Sequence, residues 1–137
     1  MTDCIFCKIV AGQIPSTRVF EDEHTVAFLD IGHVNPGHTL VAVKKHAANL
    51  YELDEAQAAA VARATVKISK ALKAAFQPEG LSVYQANGKP AGQTVFHYHV
   101  HLLPRHEADG MELTWPVKNP PREKLEGYAE KIRKQLA

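Results

Sequence analysis

The sequence predicts an α+β fold: a five-stranded, mostly antiparallel sheet with one long helix and a C-terminal helix. Three observations carry this. Five short strand-like runs are joined in part by hairpin-length turns. A single stretch from Asp54 to Phe76 is rich in Ala, Lys and Gln. Near the end, Leu125, Tyr128, Ile132 and Leu136 recur at helical intervals.

Taken in order, Asp3 to Ala11 reads as a short helix, with Asp3 placed to cap it, Ile5, Phe6 and Ile9 near helical spacing, and Gly12 after its end. Thr17–Glu21 and Thr25–Asp30 form a strand pair joined across Asp22, Glu23 and His24. Asn35-Pro36-Gly37 is a turn signal that delivers His38 to an apolar run ending at Val43, the third strand. Asp54 with Gln57 three residues on has the form of a capping box, and Pro78 and Gly80 end the helix it opens. Leu81–Ala86 and Thr94–Leu103 are the fourth and fifth strands, separated by the loop Asn87–Gly92. Pro121 opens the last helix.

The 137 residues, 45% hydrophobic and 23% charged, suit one compact domain over 1–137. A formal charge of +1 supplies no overall field for nucleic acid or an anionic membrane, so neither is expected as a partner. No apolar run approaches the roughly 20 residues of a membrane span, and Met1-Thr2-Asp3-Cys4 has no basic start of a secretory signal, which makes the cytoplasm the expected location. The only two cysteines, Cys4 and Cys7, suit a metal clip or a redox pair better than a disulfide scaffold.

Eight histidines are the unusual count, and three of them alternate in Phe96-His97-Tyr98-His99-Val100-His101-Leu102. In a strand, His97, His99 and His101 would share one face while Phe96, Tyr98, Val100 and Leu102 anchor the other to the core. Same-face neighbours lie roughly 6.5 to 7 Å apart, so adjacent imidazoles can grip different atoms of one small anion. A three-histidine metal site is the competitor, but rings two residues apart on a flat strand converge poorly on one ion. Nucleophilic and acid-base work for at least two of the rings is the better fit.

This stretch, with Gly92-Gln93-Thr94-Val95 before it, resembles the signature of the histidine triad (HIT) family. Cys4-Ile-Phe-Cys-Lys-Ile9, Phe28-Leu-Asp-Ile31, Pro36-Gly-His-Thr-Leu-Val41 and Lys44-Lys-His46 resemble the family's other recurrent blocks, in their usual order. The resemblance covers most of the first 105 residues and leaves 106–137 as a variable tail.

It implies a nucleotide-binding hydrolase or nucleotidyl transferase. His99 would attack the α-phosphorus and become covalently nucleotidylated. His101 would protonate the leaving group or stabilise charge. Gln93 and Thr94 would hold phosphate oxygens or the leaving group. Asp30 would accept from the ribose hydroxyls, and Ile5, Phe6, Ile9 and Ile31 would form the slot for the base. His38 and Asn87 would border the phosphate and the scissile bond. Without the resemblance these types have ordinary uses: Asp30 in a turn, Asn87-Gly88 as a turn pair, Ile5 and Phe6 in a core.

Cys4-x-x-Cys7 alone reads as a redox pair, half of a zinc site, or a spacing without chemical meaning. The resemblance to a bacterial subset of the family adds His46 and the first triad residue, His97, giving a structural zinc held by Cys4, Cys7, His46 and His97. His97 would then be unavailable for proton transfer, leaving His99 and His101 as the working pair, and a closed four-ligand site would not activate water.

The substrates implied are purine nucleotides, foremost adenosine 5′-phosphoramidates. Dinucleoside polyphosphates are the alternative, with a nucleotide-sensing, partner-binding protein as an alternative of another class. A zinc or thiol redox module is a third possibility, but it explains neither the triad nor Asp30. The resemblance further implies a homodimer, with the long helix as the natural contact. Gly32-His33 and Ala42-Val43 depart from the family's usual residues, placing an extra imidazole, His33, near the nucleoside region. Trp115 reads as an ordinary packing residue of the tail.

Overall fold

The computed structural model describes residues 3–137; Met1 and Thr2, part of the stretch read above for a secretory signal, lie outside the described residues. The elements are α1 (Ile5–Val10), β1 (Arg18–Glu21), β2 (Thr25–Leu29), β3 (Thr39–Val43), α2 (Glu55–Phe76), β4 (Gly80–Tyr84), β5 (His99–Arg105) and α3 (Arg122–Leu136). Five strands form one sheet in the order β1-β2-β3-β5-β4, every pair antiparallel. Among the described residues no helix is long and apolar enough to cross a membrane.

Both faces of the central strands are covered, which is why β3 is buried at all five positions. One face, with Ala27, Val41, Val43, Val100 and Leu102, packs against Val61, Ala64, Ile68 and Leu72 of α2. On the other, Val26, Phe28, Leu40 and Ala42 meet Phe6 and Ile9 of α1. Each such buried Val, Leu, Ile or Phe side chain stabilises the fold by about 1.5–3 kcal/mol.

Helix α2 opens on the expected capping box: Asp54 Oδ1 accepts from the Gln57 amide at 2.8 Å and Gln57 Oε1 accepts from the Asp54 amide at 3.1 Å. The cap of α1 is Cys4 instead of Asp3, its Sγ accepting from the Cys7 amide at 3.3 Å.

The largest departure from the sequence reading is β5, which starts at His99 and not at Thr94. A strand needs a partner. The β3–β5 pairing runs out at Ala42↔His99 and the β4–β5 pairing at Tyr84↔His101. Residues 95–97 bend instead, held by Gln93, whose amide donates to the Ala48 and Val95 carbonyls and accepts from the Gly88 amide. As a result Phe96 points outward, half exposed, while Tyr98, Val100 and Leu102 anchor the strand as expected. The apolar stripe of α3 is also uncovered within the chain, with Leu125, Tyr128, Ile132 and Leu136 at 52–80% exposure.

Gly37 fixes the turn into β3. Its φ is +91°, and a Cβ there would stand 2.9 Å from the Phe76 ring at the end of α2. Gly37→Ala should therefore cost about 2 kcal/mol, read as a lower denaturant midpoint. Gly32→Ala, at an ordinary φ and with its nearest atom 3.7 Å away, should leave the midpoint in place.

Candidate functional site

A cavity of about 320 Å³ opens on the α1 face of the sheet. Phe6 and Ile9 form its floor, also contributing to the core, and Ile5 and the fully exposed Ile31 stand at its rim. Asp30, Thr94, His99 and His101 line the same cavity, so eight of the residues singled out from the sequence meet in one place. Ile14, Pro15, Ser16 and Thr17 complete a wall that sequence reasoning missed. Its signal is an Ile-Pro pair in an otherwise polar connection between α1 and β1.

His99 and His101 project from alternate positions of β5 with ring centroids 5.1 Å apart. Phe6 packs edge-on against His99 at 4.9 Å, fixing its plane. The Nδ1 of His99 lies 2.6 Å from the His97 carbonyl, an acceptor only, so Nδ1 carries the proton and Nε2 keeps its lone pair. Burial pushes the His99 pKa below the usual imidazole value of about 6.5. Burial, then the neighbouring His99 and His38, takes His101 down to about 4, so His101 is neutral near pH 7.

His38 is buried, with Nε2 2.9 Å from His101 Nδ1 and 3.4 Å from Asp30 Oδ2. Its Nδ1 accepts from the Val34 amide at 3.1 Å, which places the ring proton on Nε2. Asp30, His38 and His101 have the residue types of a metal site, but a protonated Nε2 does not ligate, and the three act as a hydrogen-bonded group. Asp30 serves two purposes at once: Oδ1 accepts from the Gly32 amide in a turn, while Oδ2 faces the histidines.

Two expected contacts point elsewhere. Asn87 accepts from the Leu50 amide and pairs with the Gln85 amide group. Gln93 is buried, its side-chain amide bound to backbone, although it lines a small hollow beside His99 and His101.

The bend before β5 carries His97, 0% exposed, away from the cavity into a second cluster. Its Nε2–H donates to the Val43 carbonyl at 2.6 Å, leaving the Nδ1 lone pair facing Cys4 Sγ at 3.3 Å, Cys7 Sγ at 3.5 Å and His46 Nδ1 at 3.2 Å. Cys7 Sγ and His46 Nδ1 are 3.3 Å apart. All four donor atoms lie within 4.8 Å of one another. Edges of roughly 3.3–3.8 Å are what a tetrahedron with zinc-type bond lengths requires, and a backbone carbonyl on the far nitrogen is the usual way a ligating imidazole is oriented. The donor set therefore fits a metal ion. Burial, then Cys4, raises the Cys7 pKa, a cost that a cation would reverse.

The HIT domain family model matches residues 11–108. The crystal structure of a HIT family member from Bacillus subtilis superposes with a TM-score of 0.94 at 46% identity, covering 98% of both chains. An adenosine 5′-monophosphoramidase from Candida albicans is 37% identical over 98% of this chain and 91% of its own. A Zn-bound histidine triad family protein from Mycobacterium smegmatis matches with a TM-score of 0.76 at 35% identity, over 90% of this chain and 87% of that one. With its strand order, paired imidazoles and apolar cavity accounted for, this chain belongs to the histidine triad family.

Proposed function

We propose that this protein hydrolyses adenosine 5′-phosphoramidates, or transfers their nucleotidyl group, through a covalent nucleotidyl-His99. The observation that carries the reading is the 2.6 Å contact between His99 Nδ1 and the His97 carbonyl: an acceptor there commits the ring proton to Nδ1, so the bare Nε2 would be the nucleophile. The base would lie over Phe6 and Ile9 between Ile5 and Ile31, and the ribose hydroxyls would donate to Asp30. Thr94, with backbone amides of its loop, would hold the phosphate. Gln93 would shape that loop, and Asn87 would brace it through Leu50.

In the first step, His99 Nε2 bonds to the α-phosphorus and the P–N bond breaks, its electron pair leaving with an amine that takes up a proton from solvent. His101 would offer Nε2–H to the phosphoryl group as charge moves onto it. Water then attacks the nucleotidyl-His99, releasing the nucleoside monophosphate and free imidazole. The Candida albicans relative's name supports the phosphoramidate class. Because the triad chemistry is shared, dinucleoside polyphosphates are the substrate class to compare against.

We further propose that Cys4, Cys7, His46 and His97 hold structural zinc, a reading supported by their donor geometry and by the zinc-bound Mycobacterium smegmatis protein. Four protein ligands close the site, so the metal would brace the bend that positions His99 and would not activate water. Reduced thiols suit the cytoplasm, where we place the protein. A homodimer would cover the outward stripe of α3 and the exposed Val66 and Phe76 of α2.

Brief mixing with an adenosine 5′-phosphoramidate and acid quenching should give an adduct of one nucleoside monophosphate, mapped to His99 by peptide mass. His99→Ala should abolish the adduct and lower turnover by roughly 10³-fold or more while retaining nucleotide binding. Faster turnover of diadenosine triphosphate would reassign the substrate, and binding without turnover by the wild type would remove the enzyme reading. Elemental analysis of protein purified without added metal should find one zinc per chain. Cys4→Ser and Cys7→Ser should lose it and melt earlier, and a metal-free protein of full stability would defeat the zinc assignment. Light scattering should give twice the mass of one chain, falling to that of a single chain in Leu125→Glu/Ile132→Glu.

A further inference from the structure

We propose that His38 is a positioning residue that fixes the ring proton of His101 on Nε2, and that it is itself fixed by a loop clamp built from Asn35, Asp109 and Arg105. The polarity starts at the backbone. The Val34 amide can only donate, so His38 Nδ1 must accept and His38 Nε2 must carry the proton. That Nε2–H points at His101 Nδ1, 2.9 Å away, which must then accept. His101 is left with Nε2–H, the donor a phosphoryl group needs. Protonating His101 at Nδ1 would set two donors head-on, relieved only by reversing His38 against the Val34 amide.

The other groups around His101 do not compete for this role. His99 has committed its own Nδ1–H to a carbonyl, and Tyr84 meets His101 by its ring at 5.7 Å. Among the described residues, Asp30 Oδ2, 3.4 Å from His38 Nε2, is the alternative acceptor for the His38 proton. In the function proposed above, the ribose hydroxyls occupy it.

The Val34 amide is held by the loop that contains it. Asn35 Nδ2 donates to the Pro104 carbonyl in β5 at 2.8 Å and to Asp109 Oδ2 at 2.9 Å, while its own carbonyl accepts from the His38 amide at 3.1 Å. Asp109, with its side chain 4% exposed, is locked by two bonds from Arg105 and by the amides of His106 and Met111. A partly buried ion pair between the last residue of β5 and the loop that follows it thus reaches the active imidazole through Asn35, Val34 and His38. The coupling chain runs through hydrogen bonds with defined donors and, between Asn35 and Val34, through their shared peptide bond.

The effect on rate rests on the phosphoramidase reading; the ring protonation does not, so the two can fail separately. Long-range ¹H–¹⁵N correlation spectra of the metal-loaded, full-length protein, free of nucleotide, read out each histidine tautomer. Wild type should show His101 protonated at Nε2 and bare at Nδ1. His38→Gln, which keeps an N–H donor in reach, should preserve that pattern. His38→Leu should mix or reverse it, and Asn35→Ala should shift it partway.

Turnover of an adenosine 5′-phosphoramidate should fall in the order wild type, His38→Gln, His38→Leu. The last step should be roughly tenfold in kcat, with adenosine monophosphate affinity retained. Melting curves of His38→Gln and His38→Leu separate tautomer loss from unfolding. A wild-type His101 protonated at Nδ1, or a tautomer unmoved in folded His38→Leu, would overturn the proposal. Correct tautomers without phosphoramidate turnover would sustain it and overturn only the function.

Discussion

The arrangement turns on one backbone unit, the peptide at His97. Its carbonyl takes the Nδ1–H of His99 at 2.6 Å, and its side chain, swung the opposite way by the bend, meets Val43 and the two cysteines. The same residue therefore fixes the protonation of His99 with its main chain and ties the bend to α1 and the β3 end with its ring. Without the bend, the ring of His97 would share the face of His99 and its four-donor cluster would not close. With it, a single turn of chain serves two sites of different chemistry.

The sheet explains why those two sites can be neighbours. Its α2 face is closed by aliphatic packing and fixes β5 in place through Tyr98, Val100 and Leu102. The α1 face is closed only in part, and the uncovered remainder is the cavity. Burial there depresses the imidazole pKa values of His99 and His101, and the neighbouring His99 and His38 lower that of His101 further, which keeps the His101 ring neutral near pH 7.

Much of this was legible in the residues, and the reasons for the rest are physical. Strands β1 to β3 and helix α2 follow from apolar runs and a capping box that depend on local chemistry alone. Strand β5 is shorter than its alternation suggests, because alternation tells which way side chains would point in a strand, not where its partners stop. The cavity residues Ile5, Phe6, Ile9, Asp30 and Thr94 came from the family resemblance; spacing alone would have left Phe6 and Ile9 as core, which they also are. Asn87 and Gln93 show the limit of residue type: an amide side chain is legible as polar, but its partners are set by loops that close across the fold. The bond from Val34 to His38, a main-chain donor four residues away, leaves no trace in sequence at all.

Cys4 carries a last consequence. Its sulfur caps α1 and belongs to the four-donor cluster, and the helix it caps is only six residues long, with Phe6 and Ile9 supplying the cavity floor. So short a helix has little rigidity of its own. Thiol chemistry at one end is thereby geared to the flatness of the surface on which a ligand's aromatic ring would rest.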